Sequence, residues 1–235
     1  MIRLMAHILL IPGFWLGAWA WDAVAGRLRD HGHEVTALTL PGLDPDAPHR
    51  LDTTVAEQAA AIVAAAPVPT VLVSHSGGAA PAYLASDIAP QNFSHAIYVD
   101  SGPLPPGFVL DPDLSPDTRE LPLPDWPELE AAGNSLAGLD ELTLQRFRSR
   151  AVSQPATIAR TPLPLSDSPA GRTIPTTLIC CSFPAEQIHA LTGTAPIFSE
   201  LPHLDATFID LHTGHWPMWS RPTELAELIH TAAKQ

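Results

Sequence analysis

Lysine is almost absent from this chain. Among 235 residues, the 12 Lys and Arg comprise eleven arginines and one lysine, Lys234, against 25 acidic residues, for a formal charge of −13. That shortage removes most lysine-dependent chemistry from consideration. With no basic patch to displace counterions, the balance argues against nucleic acid and anionic membranes as partners. It would also weakly repel polyanionic substrates. Cysteine is nearly as scarce, with only Cys180 and Cys181, which are adjacent. Neighbouring Cα atoms sit closer than ordinary disulfide geometry allows, so both read as reduced thiols on a buried strand, and the expected compartment is the cytoplasm. No apolar run reaches the ~18 residues a membrane span needs. Residues 6–20, with Arg3 before them and Ala18-Trp19-Ala20 imitating a cleavage site, come nearest to a secretory leader. Pro12-Gly13 interrupts that run, and later segments need its strand.

What the chain does have is hydrophobic mass, 46% of residues against 16% charged, which excludes a disordered chain. The length fits one to two domains, or equally one large α/β domain, burying roughly 70% of the unfolded surface. Short apolar runs at 6–11, 34–40, 70–73, 94–99, 176–181 and 206–211 read as strands. Amphipathic stretches at 19–31, 52–66, 79–86 and 222–231 read as helices, with Asp52, Thr53 or Thr54 available to cap the second. Trp21, Val24, Ala25 and Leu28 mark the buried face of the first. This alternation implies a mostly parallel sheet of about six strands covered by helices on both faces.

Residues 103–170 break the pattern. They hold 12 of the 26 prolines and show no strand-like alternation, although 139–152 fits a helix bearing Leu142, Leu144, Phe147 and Val152. An excursion of that length between sheet strands is an inserted cap or a disordered linker, and the Leu, Phe, Trp and Val scattered through it favour the cap. The core domain is then 1–102 with 171–235, and the cap 103–170.

The chemistry concentrates at strand ends. Ser74-His75-Ser76-Gly77-Gly78 fits small-x-Ser-x-small between a strand and a helix. Small neighbours allow the tight turn that would hold the Ser76 hydroxyl above the sheet edge. His215, in Thr213-Gly214-His215-Trp216-Pro217 between the last strand and last helix, is the candidate base that would face it. A metal site of Asp210, His212 and His215 is the weaker reading, since no fourth ligand or zinc helix motif suggests itself. Asp100 ends the strand after the nucleophile and would point into the crevice at the strand ends, while Glu186 follows the next strand and could equally be a first-turn helix residue.

On these residues the sequence resembles the α/β-hydrolase superfamily over nearly its whole length. Ile11-Pro12-Gly13-Phe14-Trp15-Leu16-Gly17-Ala18-Trp19 is similar to the oxyanion loop of the branch containing small plant esterases and hydroxynitrile lyases, with Pro12-Gly13 where a His-Gly pair is usual. The resemblance implies the α/β-hydrolase fold. It also implies backbone N–H donors at Phe14 and Gly77 for an oxyanion, and a catalytic histidine at His215. The acid usually follows the strand before the last, where this chain has Glu186. Some families, the haloalkane dehalogenases among them, place it one strand after the nucleophile, at a separation similar to that of Asp100 from Ser76. Asp100 is therefore preferred, with Glu186 the alternative. Trp15, His75 and Trp216 are the candidate substrate contacts, while Trp19 reads as core packing.

The resemblance also narrows the reaction. Aspartate-nucleophile dehalogenases and epoxide hydrolases do not fit Ser76, and plant hydroxynitrile lyases need a pocket lysine that Lys234 is badly placed to supply. The expected function is a serine hydrolase without cofactor or metal, cleaving an uncharged, fairly apolar ester, thioester or lactone through an acyl-enzyme. Alternatives on the same fold are a non-hydrolytic ligand-binding module and an acyltransferase or cyclase. The expected partner is a small-molecule substrate, with no nucleic acid and no membrane.

Overall fold

The inner strands of the sheet are too apolar to face water on either side. β1 (His7–Ile11) is followed by α1 (Asp22–Asp30), β2 (Glu34–Ala37), α2 (Val55–Ala65), β3 (Thr70–His75), α3 (Ala79–Ile88) and β4 (Phe93–Val99). The computed structural model describes residues 5–234; Arg3, which precedes the leader-like run, lies outside them. Every residue of β3 is buried, as expected of a strand covered on both faces. The leader-like run becomes β1, paired in parallel with both β2 and β3.

Between β4 and the next sheet strand come β5 (Glu120–Leu121), α4 (Trp126–Ala131), α5 (Glu141–Arg150), β6 (Gln154–Pro155) and α6 (Ala156–Arg160). The two-residue strands β5 and β6 pair antiparallel as a separate ribbon. The chain then returns through β7 (Thr176–Cys180), α7 (Ala185–Leu191), β8 (Ala206–Asp210), α8 (Pro217–Ser220) and α9 (Pro222–Ala232). Among the described residues the main sheet has six strands in the order β2-β1-β3-β4-β7-β8, all parallel. This is the α/β-hydrolase architecture.

Two apolar layers cover the sheet. On one face Leu9, Leu72, Ala96 and Leu178 pack with Ile62 of α2 and Tyr83 of α3. On the other Ile8, Val71, Ile97 and Ile179 pack with Leu28 of α1 and Ile229 of α9. The alternation along each strand sends successive side chains to opposite layers. Helix ends follow the sequence signals. Thr54 caps α2 in a reciprocal box with Glu57, its hydroxyl accepting from the Glu57 N–H at 3.2 Å. Pro222 occupies the first position of α9, where its missing N–H costs no helical bond.

Several boundaries differ from the sequence expectation. β2 stops at Ala37 rather than 40. Beyond it the Thr39 hydroxyl accepts from the Ala18 N–H, which draws the edge strand toward the first loop. β3 runs on to His75, since Ser74 and His75 still pair with Tyr98 and Val99. The short helices α4, α6 and α7 lack enough turns to show a sequence period. Both cysteines are free and buried, with Cys180 on β7 and Cys181 just past it. Among the described residues no helix is long and apolar enough to cross a membrane.

Candidate active site

β3 delivers Ser76 at its carboxyl end in a left-handed turn, φ +50°. Asp100, one residue past β4, is also left-handed, φ +46°, and so is Trp15, φ +65°, in the loop after β1. Side chains with a Cβ seldom adopt this conformation. Three of the four non-glycine residues that do so among the described residues lie in this one neighbourhood, the fourth being His49. The chain is bent sharply here to lift these groups above the sheet edge.

The loop after β8 brings in His215. Its Nε2 lies 2.8 Å from Ser76 Oγ, and its Nδ1 lies 2.6 Å from Asp100 Oδ2. The Asp100 side chain is 3% exposed, yet its carboxylate is well supplied with donors. The backbone N–H groups of Cys181 and Ser182 donate to Oδ1 at 3.0 and 2.9 Å, and the Ser182 hydroxyl donates to Oδ2 at 2.5 Å. Burial pushes the Asp100 pKa up. The bond and charge of His215 and the Ser182 and Cys181 donors outweigh that, and hold the carboxyl below its usual range. An ionised Asp100 requires that His215 Nδ1 carry the proton, which leaves Nε2 free to accept from Ser76.

Glu186 is elsewhere. It is exposed in the first turn of α7, as its alternative reading as a helix-start residue suggests. Asp210 accepts from the Ala185 N–H at 2.8 Å and so caps α7, while His212 is exposed. Of the three residues of the metal reading, Asp210 and His215 are thus engaged separately.

The three expected substrate contacts are not at the cavity. His75 is fully buried behind Ser76, and its Nε2 donates to the His215 carbonyl at 2.7 Å. Its ring centroid lies 4.8 Å from that of His215. Burial, with His215 as the second cause, pushes its pKa down to about 3, so it is a neutral strut. Trp216 is buried against Phe147 and Trp219, because a large ring next to a strand-end histidine is drawn into the layer shared with α5 and α8. Trp15 is a bracket. Its indole N–H donates to Leu121 O and its carbonyl accepts from Val152 N–H, both at 3.0 Å, which fastens residues 121–152 to the first loop.

Phe14 and Gly77 are in close apposition. A Cβ on Gly77 would fall 2.4–3.0 Å from Phe14 ring atoms, so only glycine admits the ring there. The Gly77 N–H lies in the first turn of the helical run beginning at Ser76, where amides have no helical acceptor and the helix dipole is positive.

Ser76, Asp100 and His215 open into a cavity of about 480 Å³. Its far wall is apolar, with Leu104, Leu110, Ile188, Phe198 and Leu201, and among the described residues no lysine or arginine lines it. The sequence reading missed that wall and the role of Ser182. The wall comes from three separate stretches, and Ser182 carries no motif, so neither left a local signal.

A parallel sheet with a strained strand-to-helix serine, a histidine after the last strand and a carboxylate between them defines an α/β-hydrolase. Residues 8–228 match the alpha/beta hydrolase family, and the chain belongs to it. Methylesterase 8 of Arabidopsis thaliana is 34% identical over 131 residues, 51% of this chain and 46% of that protein. Methylesterase 18 of the same plant is 32% identical over 111 residues, 44% of this chain and 42% of that protein. The matched stretches span less than half the length of these two relatives. Among solved structures, an extracellular alpha/beta-hydrolase from a Paenibacillus species superposes with a TM-score of 0.78, covering 98% of this chain and 100% of that one at 20% identity. At that identity the likeness is one of fold.

Proposed function

We propose that the protein is a serine esterase that cleaves an uncharged, largely apolar ester through an acyl-enzyme. The observation carrying this reading is the continuous relay from Ser76 Oγ through His215 to Asp100. Ser76 attacks the carbonyl as His215 Nε2 takes its proton, and the bond to the leaving alcohol breaks as that proton is returned to it. Water, deprotonated by the same nitrogen, then releases the acid and restores Ser76. Asp100 stays ionised, fixes the tautomer and stabilises the imidazolium. The Phe14 and Gly77 backbone N–H groups are the proposed donors to the tetrahedral oxyanion.

The apolar wall, empty of lysine and arginine, favours an uncharged substrate. Residues 103–170 serve as the cap, contributing Leu104 and Leu110 to that wall. The similarity to plant methylesterases supports ester chemistry. A fluorophosphonate probe tests the reading: the wild-type protein is expected to be labelled and Ser76→Ala to remain unlabelled. Equal labelling of the two, or none of either, would overturn it.

A further inference from the structure

Large apolar side chains are exposed at few places on this molecule, and they are not scattered at random. Of the seven such residues among those described, three line the mouth of the one cavity that holds Ser76. Phe183, just before α7, is 44% exposed, Leu191 at the end of α7 is 38% exposed, and Ile197 in the following turn is 41% exposed. Inward of them Ile188 and Leu201 are buried and face the same cavity. The apolar lining therefore continues from the serine to bulk solvent.

This wall is held in place. Glu200, 2% exposed, accepts from Arg172 at 2.8 Å and from the Tyr83 hydroxyl at 2.7 Å. Those bonds tie residues 196–201 to α3, the helix that begins beside Ser76. Asp210 caps the start of α7 from the end of β8. A segment anchored at both ends cannot easily fold its apolar side chains inward. Their exposure is a property of the fold rather than of a loose loop.

We propose that Phe183, Leu191 and Ile197 form an outer subsite for one extended apolar arm of the ester. The substrate class is then an uncharged ester with one extended hydrocarbon or aryl arm, its carbonyl at Ser76 and its arm leaving along this wall. The inference rests on the esterase reading and adds its specificity. Each methylene that reaches the rim gains up to about fourfold in binding from its removal from water.

The test uses two ester series on the full chain. One varies the acyl arm as ethyl acetate, hexanoate and decanoate; the other varies the alkoxy arm as ethyl, hexyl and decyl acetate. In one series kcat/KM of the wild type is expected to rise at least about tenfold from the shortest to the hexyl member. Phe183→Ser, Leu191→Ser and Ile197→Ser are each expected to flatten that rise and leave the shortest ester unchanged. All three positions are exposed, so the fold tolerates them. Rim variants that alter every chain length alike, or a wild type indifferent to length in both series, would overturn the inference. Binding of the same esters to Ser76→Ala, by equilibrium dialysis, separates it from the esterase reading. Length-dependent binding without turnover by the wild type would sink esterase activity alone, whereas turnover with length-independent binding would sink the outer subsite alone.

Discussion

The six-stranded sheet and residues 103–170 are held together by different means. Along β3 every side chain is buried, and along β4 all but Ser94. Residues 103–170 instead form two-residue strands and short helices, with few residues fully buried. Twelve prolines there remove backbone donors, so carbonyls are left without amide partners. Arginine supplies what is missing. Arg148 donates to the carbonyls of Leu123 and Pro124, Arg160 to those of Pro116 and Thr118, and Arg50 to that of Ser153. A planar fork can serve two carbonyls at once, which an ammonium does less well. The excess of arginine over lysine thus has a structural use. Apolar burial orders the sheet, while directional polar ties and fixed φ angles order residues 103–170.

On that division, changes at the relay residues on the strand ends should act on turnover, changes at the buried histidines of the sheet on stability, and changes at the ties to residues 103–170 on substrate affinity and stability. The largest expected effect is Asp100→Asn, which should lower kcat by about 10²–10⁴ because the neutral amide no longer fixes the histidine tautomer. Glu186→Gln should leave kcat unchanged. Steady-state kinetics at saturating ester decide between them, and a collapse confined to Glu186→Gln would reverse the assignment. Next comes Ser182→Ala, expected to cost about tenfold in kcat through loss of a charge-assisted bond to Asp100. It should also raise the Asp100 pKa and move the acid limb of the pH profile upward. Ser182→Thr, which keeps the hydroxyl, should restore both.

A third effect lies in stability. Burial, assisted by neighbouring charge for His33 and His75, lowers the pKa of three histidines, His33, His75 and His95, all in or beside the sheet. Unfolded, each would titrate near 6.5, so below that pH the unfolded chain binds more protons than the folded one. Stability should therefore fall as pH drops from about 7 toward 5, read as a declining thermal midpoint. Residues 103–170 contain no histidine. His95→Gln should flatten the decline, and an unchanged slope would remove His95 from the account. Smallest is Trp15→Phe, which loses the bond to Leu121 O. It should destabilise by about 0.5–1.5 kcal/mol and raise KM with little change in kcat, and a kcat loss as large as that of Asp100→Asn would erase the division drawn here.

The sheet was legible in the sequence because its signals are local: apolar runs, caps such as Thr54, and small residues around Ser76. The strand ends bearing Ser76, Asp100 and His215 could be located for the same reason. What could not be read depends on residues distant in the chain. Trp15 reaches Leu121 and Val152, Ser182 reaches Asp100, and Trp216 meets Phe147; no period or spacing encodes such pairings. Bulky rings near a proposed site read as substrate contacts from sequence, but packing took Trp216 into the core and hydrogen bonding took Trp15 to the neighbouring ribbon.

One seam crosses the boundary between sheet and segment. The His215 N–H donates to the Ser135 carbonyl at 2.7 Å and the Gly214 N–H to the Ala137 carbonyl at 3.2 Å. Any Cβ on Gly214 would fall 2.6 Å from those same oxygens. The proposed base is therefore stitched to the stretch between α4 and α5 rather than carried by the sheet alone. An engineer grafting residues 103–170 from a relative to change specificity would have to carry this seam intact. Nicking the backbone at 134–137 with a protease would silence the enzyme while every relay residue remained in place.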